Sequence, residues 1–173
     1  VYDITVEDYH NFATDAGVFV HNCNISYSFL GVPVFSFSLT KSGDWIDEQV
    51  ANAIDETKST VQYVKEQGVD IYNPKSKIEQ AISVYYDSLI EYVVEQFIKL
   101  YNSTNKKELP NINQPIDIVV AGGTSLAGGF IKKMKEKIDG EFPIPVGNIK
   151  HASDPLFSVS KGLLVAAEVS TDG

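Results

Sequence analysis

Cysteine occurs once, at position 23, and methionine once, at position 134. A single cysteine excludes a disulfide framework and any cysteine-rich metal site. No apolar run approaches the roughly 18 residues needed to cross a bilayer, and the opening residues do not read as a signal peptide. Positive charge is scarce: 14 Lys plus Arg stand against 23 Asp plus Glu, a net charge of −9. Such a chain is a poor nonspecific ligand for nucleic acid or for an anionic membrane. The expectation is a soluble, cytoplasmic protein with no transmembrane segment and no direct nucleic-acid contact. Apolar residues make up 43% and charged residues 21%, which suits a globular chain and not a disordered one. The 173 residues allow one full domain and a small appendage. The chain opens on Val1, as expected of a processed product or a fragment of a longer gene.

The first 23 residues have their own character. Val1 to Asp8 alternate apolar and polar, as a half-buried strand does. Tyr9-His10-Asn11-Phe12 follows, then a turn segment ending at Gly17, then Val18-Phe19-Val20-His21-Asn22-Cys23. Taken alone, the last hexapeptide reads as a short strand ending in a polar turn. In sequence, Asp3, Val6, His10, Asn11, Phe12, Gly17, His21, Asn22 and Cys23 resemble the C-terminal end of an intein. The resemblance implies a short β segment of a Hint-type fold over residues 1–22. It also implies the chemistry of a splice junction. Cys23 would take the upstream flank onto its thiol. Asn22 would cyclise and cut the bond to Cys23. His21 and His10 would move protons near neutral pH, and Asp3 would tune the thiol. The upstream intein blocks are absent, so residues 1–22 could act only with the rest of an intein supplied.

From Cys23 onward the pattern changes. Residues 23–30 and 34–40 alternate about Gly31-Val32-Pro33, which predicts a β-hairpin. Ser42-Gly43-Asp44 opens a helix carrying Trp45, Ile46, Val50 and Ile54, with Asp44 at its positive end. Residues 55–67 either continue that helix or form a second one. A long amphipathic helix is predicted from about 75 to 102, its Tyr and Phe residues serving the core. Residues 116–121 read as a buried strand in one sheet with the hairpin. Gly122-Gly123-Thr124-Ser125 ends that strand, and a helix is expected over 127–138. Residues 143–146 read as an edge strand, and Asp154-Pro155 opens a last helix. His151 reads as a loop residue without a partner at metal-ligand spacing. Lys132, Lys133, Lys135 and Lys137 read as mostly solvent-facing. There is no internal repeat and no low-complexity segment.

The strand followed by Gly-Gly-Thr-Ser has two readings. Two glycines after a strand admit another group close to the backbone, and a following helix offers N–H groups to an anion. Equally, the unit is a tight turn that only packs. It lacks both G-x-G-x-x-G and the P-loop signature. The order of the pieces, however, resembles the C-terminal half of the actin-like ATPases, especially the cell-shape actin MreB and the plasmid-segregation actins. The elements that carry it are Val119 to Ser125, Gln62 with Lys65, Asp154-Pro155-Leu156 and Lys161-Gly162. The resemblance spans residues 23 to about 169 and implies an α/β, ribonuclease H-like ATPase lobe over 23–173.

That resemblance assigns ATP as ligand with Mg, whose ligands would lie mostly in an N-terminal half not included in this sequence. Gly122 and Gly123 would admit the nucleotide, and Thr124 and Ser125 would bond near the ribose or α-phosphate. Gln62 and Lys65 would hold base and sugar, although the family usually has Glu at the position of Gln62. Asp44 is either part of the same cleft or only a helix N-terminal acid. The partners implied are ATP or ADP, the missing half, and further copies in a filament. A non-hydrolysing scaffold of the same fold, and a protein-splicing element as the main function, are the alternatives.

Overall fold

The computed structural model describes residues 12–13, 19–20, 23–30, 32–107, 109–112, 114–140, 142–158, 160–162 and 164. Asp3, His10, His21 and Asn22, and the strand expected over residues 1–8, lie outside them. Within the first segment, β1 (Phe12–Ala13) and β2 (Phe19–Val20) pair antiparallel, Phe12 opposite Val20. β3 (Cys23–Phe29) and β4 (Val32–Leu39) form the predicted hairpin, with a register shift at Tyr27/Ser28.

Three helices follow. α1 (Gly43–Ile54) stops because Asp55 takes a left-handed conformation, φ 58°, and its N–H returns to the Ala51 carbonyl. α2 (Lys58–Glu66) is therefore a separate helix, and its N-cap Thr57 accepts a hydrogen bond from the Thr60 N–H at 3.2 Å. α3 (Lys77–Ser103) starts at Ser76, whose Oγ accepts from the Glu79 N–H at 3.2 Å. The Glu79 carboxylate reaches back to the Lys75 N–H at 2.7 Å, so Ser76 satisfies a donor that the first turn leaves open while Glu79 holds the residue before the cap.

α3 is about 40 Å long at 1.5 Å per residue, and it supplies a wall to three apolar clusters. Ile82, Tyr86 and Leu89 meet Ile46 and Val50 of α1 and Val61 of α2. Ile90 and Val94 meet Met134 and Ile138 of α4 (Phe130–Ile138). Phe97 meets Tyr27 of the hairpin and Ile144. The Phe97 ring stacks on Phe142 at 4.8 Å and stands edge-on to Tyr27 at 6.1 Å. Each fully buried side chain of this kind contributes about 1.5–3 kcal/mol.

The strands depart from the expected single sheet. β5 (Ile116–Val120) pairs in parallel with β6 (Val146–His151), and β3 with β4, as two separate two-stranded ladders among the described residues. β5 is also less buried than its apolar sequence suggested. Its residues alternate, and Val119 is 56% exposed, because the helices cover only the face of Ile118 and Val120. β6 begins later than the expected 143–146 strand. Pro143 and Pro145 have no N–H for a ladder, so pairing begins at Val146, with Pro145 accepting from the Ile116 N–H at 2.9 Å. His151 therefore ends a strand and does not sit in a loop.

Of the four lysines read as solvent-facing, Lys133 is instead largely covered and pairs with Asp87 of α3 at 2.7 Å. No described helix is long and apolar enough to cross a membrane.

Phe97→Ala should cost about 3–5 kcal/mol, the range for removing a large buried aromatic. Urea unfolding followed by circular dichroism measures it. A loss under about 1 kcal/mol would show that the hairpin and the β5–β6 unit do not depend on this ring.

Candidate functional site

The chain leaves β5 through Gly122, which sits at φ 91°, ψ 155°, a region that residues with a Cβ rarely adopt. Its N–H donates to the Pro155 carbonyl at 2.7 Å. Gly123–Leu126 then form a 3-10 turn, and α4 starts at Phe130, three residues later than the helix expected over 127–138. Ser125 is buried, and both its N–H (3.0 Å) and its Oγ (2.8 Å) donate to the Gly122 carbonyl. His151 Nε2 donates to the Ser125 carbonyl at 2.7 Å. The Gly-Gly-Thr-Ser turn is thus braced by its own serine, by the end of β6 and by the Asp154-Pro155-Leu156 segment. Lys161 in turn pairs with Asp154, and that bond holds the Asp154 carboxyl below the usual carboxylate range. Residues 158, 160–162 and 164 are helical, in keeping with a closing helix.

Thr124 faces the start of α1. A Cβ on Gly43 would lie 2.5 Å from Thr124 Oγ1, so only glycine lets the two segments meet this closely. The same point lies 3.5 Å from Lys65 Nζ, which donates to the Gly43 carbonyl at 3.0 Å. The structure therefore brings together three groups named from sequence: Lys65, Thr124 and the end of α1 that carries Asp44. Asp44 lies in the first turn of α1, 3.8 Å from Lys58 Nζ. Gln62 shares α2 with Lys65, and its amide donates to Glu66 at 3.0 Å. Gly122 and Gly123 are exposed; a Cβ on Gly122 would meet nothing within 4 Å, and one on Gly123 only Leu156, at 3.8 Å.

Asp47 was not evident from the sequence. It is 1% exposed, and Lys65 Nζ lies 2.8 Å from its Oδ2 and 2.7 Å from its Oδ1. Burial pushes its carboxyl above the usual range, and the bond to Lys65 only partly opposes this. The signal was there: Asp47 falls between Ile46 and Val50 on the face of α1 that packs inward. His151 was missed for a different reason, since its partner is 26 residues away in sequence.

Cys23 starts β3 and lines a cleft that Thr124 and Ser125 also line. Burial pushes its thiol up to about 11, so it is protonated at neutral pH. Among the described residues no cluster of His, Cys, Asp and Glu could hold a metal ion.

A family model described as Volactin matches residues 10–167, so the chain belongs to the Volactin family. The match runs across the boundary expected between residues 22 and 23. No curated protein matches the sequence.

Lys65→Met should destabilise the fold by about 3–5 kcal/mol at pH 7, because it leaves the Asp47 carboxylate buried without its partner. The raised carboxyl sets the sign. A group raised in the folded state favours folding below its unfolded value and loses that advantage as pH rises through the folded one. The deficit should therefore shrink between pH 7 and pH 4, because falling pH favours the protonated carboxyl, which removes the unpaired buried charge. Thermal melts of both proteins at the two pH values test this; a deficit independent of pH would place the cost elsewhere.

Proposed function

We propose that residues 23–173 of this Volactin-family chain are the C-terminal, nucleotide-binding lobe of an actin-like ATPase of the ribonuclease H-like class. Residues 1–22 are, on the same reading, the closing segment of an intein. One observation carries the nucleotide part: Gly43, Lys65 and Thr124, from three separate elements, converge beside an exposed glycine pair. That convergence suits a cleft in which a ligand touches α2 on one side and the Gly-Gly-Thr-Ser turn on the other. ATP would supply the phosphoryl group, which passes to an attacking water as ADP leaves.

The residues present fit such a ligand. Gly122 and Gly123 leave the space over their Cα atoms open. Thr124 Oγ1 binds ribose or phosphate oxygens, since the Gly122 and Ser125 N–H groups are already committed to Pro155 and Gly122, and the exposed side of α2 at Gln62 receives the base. Lys65 acts chiefly by position, because its ammonium is committed to Asp47 and Gly43. Asp44 places negative charge at the end of α1. Mg would be held mostly by an N-terminal half, with which this lobe would close the cleft and assemble into filaments. The commitment of Lys65 also favours a second reading, a scaffold that binds nucleotide without hydrolysing it. Phosphate release from the joined protein separates the two.

At the junction, Asn22 cyclises and Cys23 receives the upstream flank. With its thiol at about 11, Cys23 is a weak nucleophile in the described arrangement. The reading therefore requires groups upstream, such as Asp3 and His10, to free its proton.

Gly123→Val should leave the lobe folded, since the space there is open, and should abolish binding of a fluorescent ATP analogue to the joined protein. Unchanged affinity would remove the glycine pair from the site. With the remainder of an intein supplied, Asn22→Ala should block release of a fragment beginning at residue 23, whereas Cys23→Ala should stop ligation and still permit that cleavage. Mass spectrometry of the products reads both. Release from Asn22→Ala at the unmodified rate would reduce residues 1–22 to ordinary strands.

A further inference from the structure

The hairpin carries no charge. None of the chain's 14 basic and 23 acidic residues falls between positions 23 and 40, although the net charge is −9. Alternation sorts its two faces. Tyr27, Phe35 and Phe37 turn to the Phe97 cluster. Ser26, Ser36 and Ser38 are exposed, and Ser38 Oγ donates to Asn24 at 2.6 Å. Among the described residues, β4 is bonded to β3 along one edge and to no strand along the other. Edges of this length are ordinarily blunted by charged side chains, a proline or a covering element. β4 has Pro33 near its start; beyond it, positions 34 to 39 hold only apolar residues and serine. Val32, at that same start, is 65% exposed.

We infer that the free edge of β4 pairs with β4 of a second copy of this chain, antiparallel about a two-fold axis at Ser36. The inference is independent of the nucleotide and splicing readings. Charge selects the occupant. Two chains of −9 repel one another over most of their surface, and the hairpin is where they meet without opposing like charges. A basic partner would instead be drawn to the acidic faces and would gain nothing from an uncharged one. The strand also fits itself. Residues opposite one another in an antiparallel pair point to the same face, so a symmetric register must set inner positions against inner ones. Centring on Ser36 does so. Phe35 then lies opposite Phe37 of the second copy on the inner face, and Ser36 lies opposite its own counterpart on the outer face. Both rings are only partly buried within one chain, and cross-strand aromatic pairing covers them further. The same register leaves Pro33, which has no N–H to donate, at the end of the ladder. Such a contact is isologous, so it closes at two copies and does not by itself extend a filament.

One strand pair is a small interface, so a reversible dimer is expected, and sedimentation velocity of the 173-residue chain between ~1 and ~200 µM should show its fraction rising. The dimer should tighten with added salt, which screens the repulsion between acidic chains and leaves an uncharged contact intact. Ser36→Glu and Ser36→Lys should each weaken it at least ~10-fold, since either sets like charges opposite one another on the axis. Unchanged far-ultraviolet circular dichroism reports that both variants keep the fold. Weakening by one sign of charge alone points to a partner surface of fixed sign or to general repulsion, and overturns self-pairing. Cross-linking tests the register in a Cys23→Ser background. Ser36→Cys sets two thiols on opposed residues, whose Cα atoms lie within disulfide range, and mild oxidation should give a covalent dimer. Ser38→Cys sets them ~14 Å apart along the ladder and should give none. A chain that stays monomeric throughout, a dimer indifferent to both charges at Ser36, or cross-linking through Ser38→Cys as fast as through Ser36→Cys overturns the inference.

Discussion

Burial along α3 is the constraint on which the rest depends. A helix of 27 residues with apolar side chains on more than one stripe cannot satisfy them against a single neighbour. Its first half is covered by α1 and α2, its middle by α4 and β5, and its last turns by the hairpin. Each of those elements is short, and the hairpin alone would be marginal in water. Their positions relative to one another are set by where on α3 each finds apolar area to cover.

Against that scaffold, polar contacts fix the details that matter for a site. Asp47 and Lys65 tie α1 to α2 across a buried ion pair, and Lys65 also holds the Gly43 carbonyl. The absent side chain at Gly43 lets Thr124 approach. His151 and Pro155 hold the glycine turn from two other segments. Such a pair contributes little net stability for its burial, but removing one partner is costly. Its effect is to give the meeting of α1, α2 and the turn one geometry.

Much of this architecture is legible in the sequence, and the reasons are local. The Ser-x-x-Glu sequence at Ser76 marks the start of α3, and its apolar period marks the buried stripe. Alternation on both sides of Gly31 marks the hairpin. The failures are equally physical. Two prolines delay β6, a rule that applies only once the strand's partner is known. Left-handed Asp55 separates α1 from α2, although nothing in its neighbours demands it. The division of the strands into two ladders is a matter of long-range placement. For the site, the sequence named Lys65 and Thr124, which do meet Gly43, and missed Asp47, which holds Lys65. The splice residues Asp3, His10, His21 and Asn22 lie outside the described residues, so their geometry does not bear on the proposal.

In the proposed site one ligand bridges α2 and the Gly-Gly-Thr-Ser turn. Photolabelling of the joined protein with an azido-adenine analogue of ATP tests it directly, because the label reports where the base sits. Modified peptides are expected from α2 around Gln62 and from residues 121–126, both suppressed by excess MgATP. Labelling that ignores competitor, or that falls on the exposed face of α4, would contradict it.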